Sequence, residues 1–541
     1  MKSRNMDMTV KGPQITQFNN IAPQSIPRST FIRDFTRRTT FDADYLVPIF
    51  ADEILPGDEV NLNMNALIRM STPIKPVMDN LYAETFWFFV PNRLVWDNWV
   101  KLQGQQTNPG DSVAYSVPVL NNAVAPMSTT GFTNQSIYDY LGLPTLVTSL
   151  DTISALWNRA YDLIWNEWFR DENLQNSITV SKGDGPDDPA LYTLRKRNKR
   201  KDYITSCTTA PQKGPAIAIP IVGTAPITGL AVAATASYTN NATGFNDSAG
   251  TVSPAGTNWS QNVDNTLTGV RIQGDNTSKI PAIQANLNLA SAISINQIRQ
   301  FARYQQIAEL DMRGGTRYVE SIYSRFGVIS PDFRLQRPEL IGQGHSRINI
   351  YAVPQTAPTV TAQTPQGNLA AFGIAQIQGG HGCRYAATEH GMIIGIINVR
   401  ADLTYQQKVP KMFLRQTRLD YYEPLLNGLG EQTVTNAEVV ATGTSTDQLP
   451  WGYQERFAEY RYKDSEITGK FRSNDPQSLE VWHLSQELVT PSLNSAFITE
   501  EVPMARVLAV TTEPAFLGDM FYNYRHTRPM PIRSNPGIDR L

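Results

Sequence analysis

Residues 61–70 read Asn61-Leu-Asn-Met-Asn-Ala-Leu-Ile-Arg-Met70, and their alternation decides the fold. Leu62, Met64, Ala66, Ile68 and Met70 fall on one side of an extended chain; Asn61, Asn63, Asn65, Leu67 and Arg69 fall on the other. Successive side chains of a strand point to opposite faces, so the pattern predicts a half-buried strand with Leu67 as its one lapse. The preceding Leu55-Pro-Gly-Asp58 offers a proline with preset φ and a glycine for the positive φ of a type II turn. Thr85-Phe-Trp-Phe-Phe-Val90, ended by Pro91, is an unbroken aromatic and β-branched run, which predicts a strand covered on both faces. Ile348–Val353, Met392–Val399 (broken by Gly395) and Ala505–Val510 give further strand signals. Helical spacing appears in two places. Ile153, Leu156, Trp157, Ala160, Ile164 and Trp168 lie within 151–170, with Asp151 as candidate N-cap, and Ile298, Phe301, Ala302 and Ala308 lie within 295–311. Few helices among many separated strands favour a mainly β, antiparallel sandwich over an α/β sheet.

Composition narrows the function classes. The 541 residues carry 47 Lys and Arg against 49 Asp and Glu, which excludes a generally basic nucleic-acid coat but not local basic patches. Charged residues are 18%, below the roughly 25% of an average soluble domain. With 41% apolar and 10% aromatic residues, the chain is not a disordered one. Two cysteines, Cys207 and Cys383, cannot make a disulfide scaffold, and zinc-site spacings are absent. The N-terminal stretch has no apolar core of a secretory signal, so folding without oxidation is expected. Pro215–Ala236 is uncharged, but Pro215, Pro220, Pro226, Gly223 and Gly229 argue against a spanning helix.

Four regions follow. Residues 1–40 are a basic arm with Lys2, Arg4, Lys11, Arg28, Arg33, Arg37 and Arg38 against Asp7 and Asp34. Residues 41–213 begin the body, with the helical segment near 151–170. Residues 214–290 read as an insertion, marked by Gly214, Pro226, Trp259 and Ser278; up to Ser278 its only charges are Asp247, Asp264, Arg271 and Asp275. Such a stretch is improbable as a plain loop, and its lack of charge suggests contact with copies of itself. Residues 291–541 complete the body and end in a basic tail with Arg525, Arg528, Arg533 and Arg540.

Chemistry-bearing motifs are sparse. His381, Cys383 and His390 resemble metal ligands in type but not in spacing, and ordinary loop and strand-edge roles are favoured. Asp184, Asp187 and Asp188 offer hard oxygens for calcium, yet Gly-Pro-Asp runs are common solvated turns. Gly342-Gln-Gly344 lacks the third glycine of a dinucleotide loop, and Gly469-Lys470 is followed by Phe471 where a phosphate loop needs Ser or Thr. Asp420 and Glu423 define no acid–base pair. No enzyme, metal or cofactor is expected. Arg195-Lys-Arg-Asn-Lys-Arg-Lys201 is more informative: Arg195, Lys196, Arg197, Lys199, Arg200 and Lys201 form either a solvated loop or a contact for phosphate.

Arg159-Ala-Tyr-Asp-Leu-Ile-Trp-Asn-Glu-Trp-Phe-Arg-Asp-Glu-Asn173 resembles a hallmark of the major capsid proteins of microviruses, small icosahedral single-stranded DNA bacteriophages, in their gokushovirus branch. Similar blocks recur in order, among them Thr72-Pro-Ile-Lys-Pro-Val-Met-Asp-Asn80, Phe326-Gly-Val-Ile-Ser-Pro331, Arg415-Gln-Thr-Arg418, Gly452-Tyr-Gln-Glu-Arg456 and Arg528-Pro-Met-Pro531. The resemblance implies an eight-stranded antiparallel jelly roll with long inter-strand loops. It implies a virion protein, assembled in the host cytoplasm as sixty copies in a T=1 shell around circular single-stranded DNA. The insertion would form threefold protrusions that meet a bacterial surface receptor. Further implied partners are a small basic DNA-binding virion protein, which lets the capsid chain stay near neutral, and other assembly and pilot proteins. Arg37, Arg38 and Arg528 are the expected DNA contacts. The competing reading from the residues is a stand-alone β-rich receptor- or glycan-binding spike.

Overall fold

The computed structural model describes residues 27–150, 152–215, 295–313, 336–357 and 366–533, with positions 324 and 359 and four short strands between 227 and 285. The chain divides into two compact units, Met1–Pro211 with Val328–Leu541, and Gln212–Gly327. In the first unit the chain opens with β1 (Ser29–Ile32), β2 (Phe35–Phe41), β3 (Val47–Ile54), β4 (Glu59–Met70) and β5 (Leu81–Pro91). The second unit contains two antiparallel pairs, β6 (Ile227–Thr228) with β9 (Gln284–Ala285) and β7 (Leu230–Val232) with β8 (Val270–Ile272), and the helix Ile295–Arg313. The first unit resumes with β10 (Glu339–Pro354), β11 (Leu369–Ile377), β12 (Gly382–Ala386), β13 (Gly391–Ala401), β14 (Glu431–Thr435), β15 (Pro450–Glu455) and β16 (Phe516–Arg528). No helix among the described residues is long and apolar enough to cross a membrane.

One antiparallel sheet dominates, in the order β1-β16-β4-β11-β10-β5-β13-β3, with β2 also on β16 and β12 also on β4. Eight strands thus lie on a continuous path and two pair beside it. The curl comes from β10: its residues 339–348 pair with β5 and residues 349–354 with β11, so one long strand carries the sheet from one wall to the other. Between the walls lies the main core. β4 alternates along its whole length, with Val60, Leu62, Met64, Ala66, Ile68 and Met70 buried. Phe50 of β3 meets Tyr522 and Tyr524 of β16 at ring-centroid distances of 5.8 and 5.5 Å, and Trp87 of β5 lies 6.4 Å from Tyr522. The outer face of β5 and β13 is buried as well, because Phe88, Val90, Met392, Ile394 and Ile396 join a second cluster with Ala160, Tyr161 and Ile164. That double burial is why the 85–90 run carries no polar alternation.

Several expectations need correction. Gly395 does not break its strand. A Cβ there would sit 2.5 Å from the Trp87 ring, so the glycine is the space that lets the indole fill the core. Opposite it the register with β3 shifts. The Ile49 carbonyl in that stretch accepts from Arg37 Nη1 and from the Tyr522 hydroxyl, each at 3.0 Å. The first helix is shorter than 151–170: an α-helix over Leu156–Ile164 continues as a π turn over Trp165–Phe169. Its N-cap is Ala155, and Asp151 lies outside the described residues. Ala505–Val510 is not a strand. Met504–Val507 is a helical turn behind Pro503, because Met504 and Val507, three apart, both turn into the main core. The 1–40 arm is in part sheet, since β1 and β2 pair with β16. The second compact unit is bounded at Gln212 and Gly327, against the 214–290 expected for the insertion.

Candidate nucleic-acid interface

The basic heptad is not a solvated loop. Its backbone is threaded between two other segments: Leu46 N donates to Arg195 O, Arg197 N to Asp44 O, Lys199 N to Ile498 O and Glu500 N to Arg197 O. Side chains leaving this extended ribbon reach carboxylates brought in by the tertiary fold. Arg195 Nε donates to Asp162 at 3.1 Å, and Lys201 is paired with Asp171. Lys199 is 4% exposed and donates to the Phe497 carbonyl at 2.6 Å; burial lowers its pKa. Lys196 lies over the Tyr45 ring at 5.4 Å.

The centre of the arrangement is Glu84 on β5. Its carboxylate receives Arg197, Arg200 at 3.2 Å and Arg400 at 3.2 Å, with His345 Nδ1 at 3.3 Å. Neighbouring strands set these positions, since β5 pairs Glu84 with His345 of β10 and with Asn398 of β13. Burial alone would raise the Glu84 carboxyl, but Arg197, Arg400 and Arg200 outweigh it and hold the pKa at about 2. Burial, reinforced by Arg197, lowers Arg400 to about 10. Arg200 also reaches Asp402 at 3.4 Å. Glu84 is not the sole counter-charge, since Asp402 pairs with Arg200 and the buried Glu500 faces Arg197, Arg200, Arg400 and Lys199. Glu84, Arg400 and Asp402 were not foreseen as site residues. The available signal was a carboxylate at position 84 beside an apolar run, a place where an acid persists only when paired.

The other predicted cations divide by their partners. Arg37 donates to the Ile49 and Tyr140 carbonyls, and its burial lowers its pKa. Arg528 Nε donates to Asp58 Oδ2 at 3.1 Å beside the fully buried His526, whose Nε2 is 2.8 Å from the same oxygen. Arg38 is different: its side chain is 81% exposed and lies 3.5 Å from Asp519. Gly214 has a positive φ of 87° in the second unit, while Pro226, Trp259 and Ser278 lie outside the described residues.

The metal-like groups are scattered among structural roles. His381 Nδ1 is 2.9 Å from Thr85 Oγ1 and its Nε2 is 2.8 Å from Ser346 Oγ. Cys383 is buried, with its thiol pushed up to about 12 by burial, and His390 packs against Trp99. Asp184 accepts from Trp96 Nε1, Asp187 from Arg159 and Tyr192, and Asp188 from the Ala190 amide. Asp420 caps a short turn through the Thr417 amide. Gly342 and Gly344 lie on β10, where a Cβ at Gly342 would be 2.2 Å from the Gly382 carbonyl. They permit close strand packing rather than cradling a phosphate.

A curled jelly-roll sheet with titratable groups engaged in tying loops to strands defines a structural protein of the viral shell class. The chain belongs to the capsid protein (F protein) family, whose profile it matches over residues 19–538. It is 46% identical to capsid protein VP1 of Bdellovibrio phage phiMH2K, over 95% of this chain and 96% of that protein. Capsid protein VP1 of Chlamydia phage 1 is 38% identical over 97% of this chain and 98% of its own length. For capsid protein VP1 of Spiroplasma virus 4 the identity is 34%, over 99% of both chains. The gokushovirus resemblance therefore holds along essentially the whole chain. The protein is a structural, non-enzymatic component of a phage virion that self-assembles into a shell.

Proposed function

We propose that sixty copies form a T=1 icosahedral shell around circular single-stranded DNA, with 214–290 building threefold protrusions that contact the bacterial host. The observation that carries the assembly is apolar surface. Phe413, Leu425 and Leu429 are 71, 91 and 65% exposed within one short run of loops. Clusters of exposed apolar side chains mark interaction surfaces, and a neighbouring copy that covers them gains about 25 cal/mol per Å². Closed symmetry repeats that gain around the whole particle and limits its growth.

The formal charge of −2 leaves most DNA neutralisation to a small basic DNA-binding virion protein. Assembly in the host cytoplasm would involve the other assembly and pilot proteins. In this reading Arg38 is the arm's cation with reach to phosphate, while Arg37 and Arg528 hold the arm against the sheet. The division of the chain at Gln212–Gly327 supports treating 214–290 as part of an insertion. Electron microscopy with sedimentation of particles from cells making the chain and its phage partners should reveal closed isometric shells. Trimers alone would favour a stand-alone spike. Deleting 214–290 should leave shells intact and lower adsorption to the host; unchanged adsorption would remove the host-contact role.

A further inference from the structure

A cavity of about 470 Å³ lies against the heptad, within the range of small-ligand sites. One wall is aromatic: Phe86 and Phe88 from the outer face of β5, and Trp168 and Phe169 from the π turn. Phe86 and Phe169 meet edge to face at 5.3 Å, and Phe88 and Trp168 lie 5.6 Å apart. Phe86, Trp168 and Phe169 are only partly buried, and the Arg197 guanidinium lies over the Phe86 and Phe169 rings at 4.7 and 5.8 Å, so a planar base would have to share those rings with it. The other wall is cationic. Arg170, Arg197, Arg200, Lys201 and Arg400 border the cavity, with Asp171 as the one lining carboxylate. Glu84 stands behind them and is shared by three of those guanidiniums. The Nε atoms of Arg170 and Arg200 are buried without a hydrogen-bond acceptor.

We propose that this cavity binds one nucleotide of single-stranded DNA, its phosphate on the Arg170, Arg200 and Lys201 side and its base against Phe86 and Phe169. The inference rests on the DNA-containing shell proposed above and adds the place where the chain holds the strand. Stacking on aromatic rings tolerates any base, and guanidiniums supply the phosphate contact, so the site would be sequence-independent. An acidic peptide would satisfy the cations but leave the ring wall without a planar partner.

The test is fluorescence anisotropy on the full chain with three labelled probes: a twelve-residue oligothymidylate, an abasic oligonucleotide of equal length and a polyglutamate peptide. Oligothymidylate should bind about tenfold more tightly than the abasic strand, the effect expected of stacking. Phe169→Leu should erase that preference without changing abasic binding, and Phe169→Tyr should restore it. The double variant R200Q/K201Q should weaken both nucleic acids and lower the slope of log K against log salt by about 0.7 for each phosphate no longer neutralised. Thermal melting separates these effects from misfolding. Equal binding of thymidylate and abasic strands by the native chain would overturn the base-stacking half, and native-like binding by R200Q/K201Q would overturn the site. Polyglutamate binding as tightly as thymidylate would identify an acidic peptide as the occupant. Intact DNA-filled shells with any of these negative results would leave the shell reading standing, whereas failure to form shells in microscopy would count against that reading alone.

Discussion

β5 and β13 bury both faces, while β4 and β16 bury one. The walls belong to the same sheet and enclose the same core, so the difference lies in what covers them from outside. Loops and the helix Leu156–Ile164 cover β5 and β13, and ion pairs pin that cover in place. Arg159, with a side chain 0% exposed, forms a two-pronged pair with Asp187 at 2.7 Å and also donates to the Val95 and Gly183 carbonyls. The outer face of β4 and β16 instead carries Asn63, Asn65, Arg69 and Asn523, with Leu517 and Phe521 49 and 42% exposed among them. The comparison teaches that a capsid strand's composition reports how many layers cover it within the chain.

Removing a pin from the covered wall should have the largest effect. Arg159→Ala leaves the buried Asp187 without its counter-charge, with only the Tyr192 hydroxyl still donating to its side chain, and should cost about 3–5 kcal/mol in urea unfolding of the unassembled chain. The matching change on the open wall, Arg38→Ala at its exposed pair with Asp519, should leave the unfolding midpoint where it was. Equal losses from the two would erase the distinction between the walls. Next comes Gly395→Ala, whose methyl must displace the Trp87 ring and should cost about 1–3 kcal/mol, read as a lower Tm.

Acid gives a further separation. The folded pKa of Glu84, about 2, lies below its ordinary 4.5, so its stabilisation is complete above about 4.5 and is lost as pH falls toward 2. Glu84→Gln should flatten that limb of the stability–pH curve, and an unchanged limb would assign acid sensitivity to other carboxylates. Leu517→Ser on the open wall should likewise have little effect, within about 0.5 kcal/mol for the unassembled chain. A drop of several degrees in its melting temperature would mean that this face is covered from within the chain after all.

Local pattern made much of this legible. The alternation at 61–70 named each buried residue of that stretch of β4, since a strand's period of two needs no partner to be read. The 85–90 run announced double burial, and helical spacing located both long helices to within a few residues. The reading failed where local sequence suits two conformations. Ala505–Val510 has apolar residues that fit a strand or a helical turn, and packing of Met504 and Val507 chose the turn. At the heptad the sequence leaves two readings open, because a run of cations looks the same whether water or carboxylates surround it.

Composition and periodicity settled the β class, the doubly covered strand and the low charge of the insertion, because each follows from neighbours along the chain. The joining of distant segments was settled in three dimensions. Glu84 meets Arg197 across 113 positions and Arg400 across 316, and β16 closes onto β2 and β4 from the far end of the chain. Such contacts depend on which strands lie side by side, a choice made by the burial of the whole core rather than by any one segment.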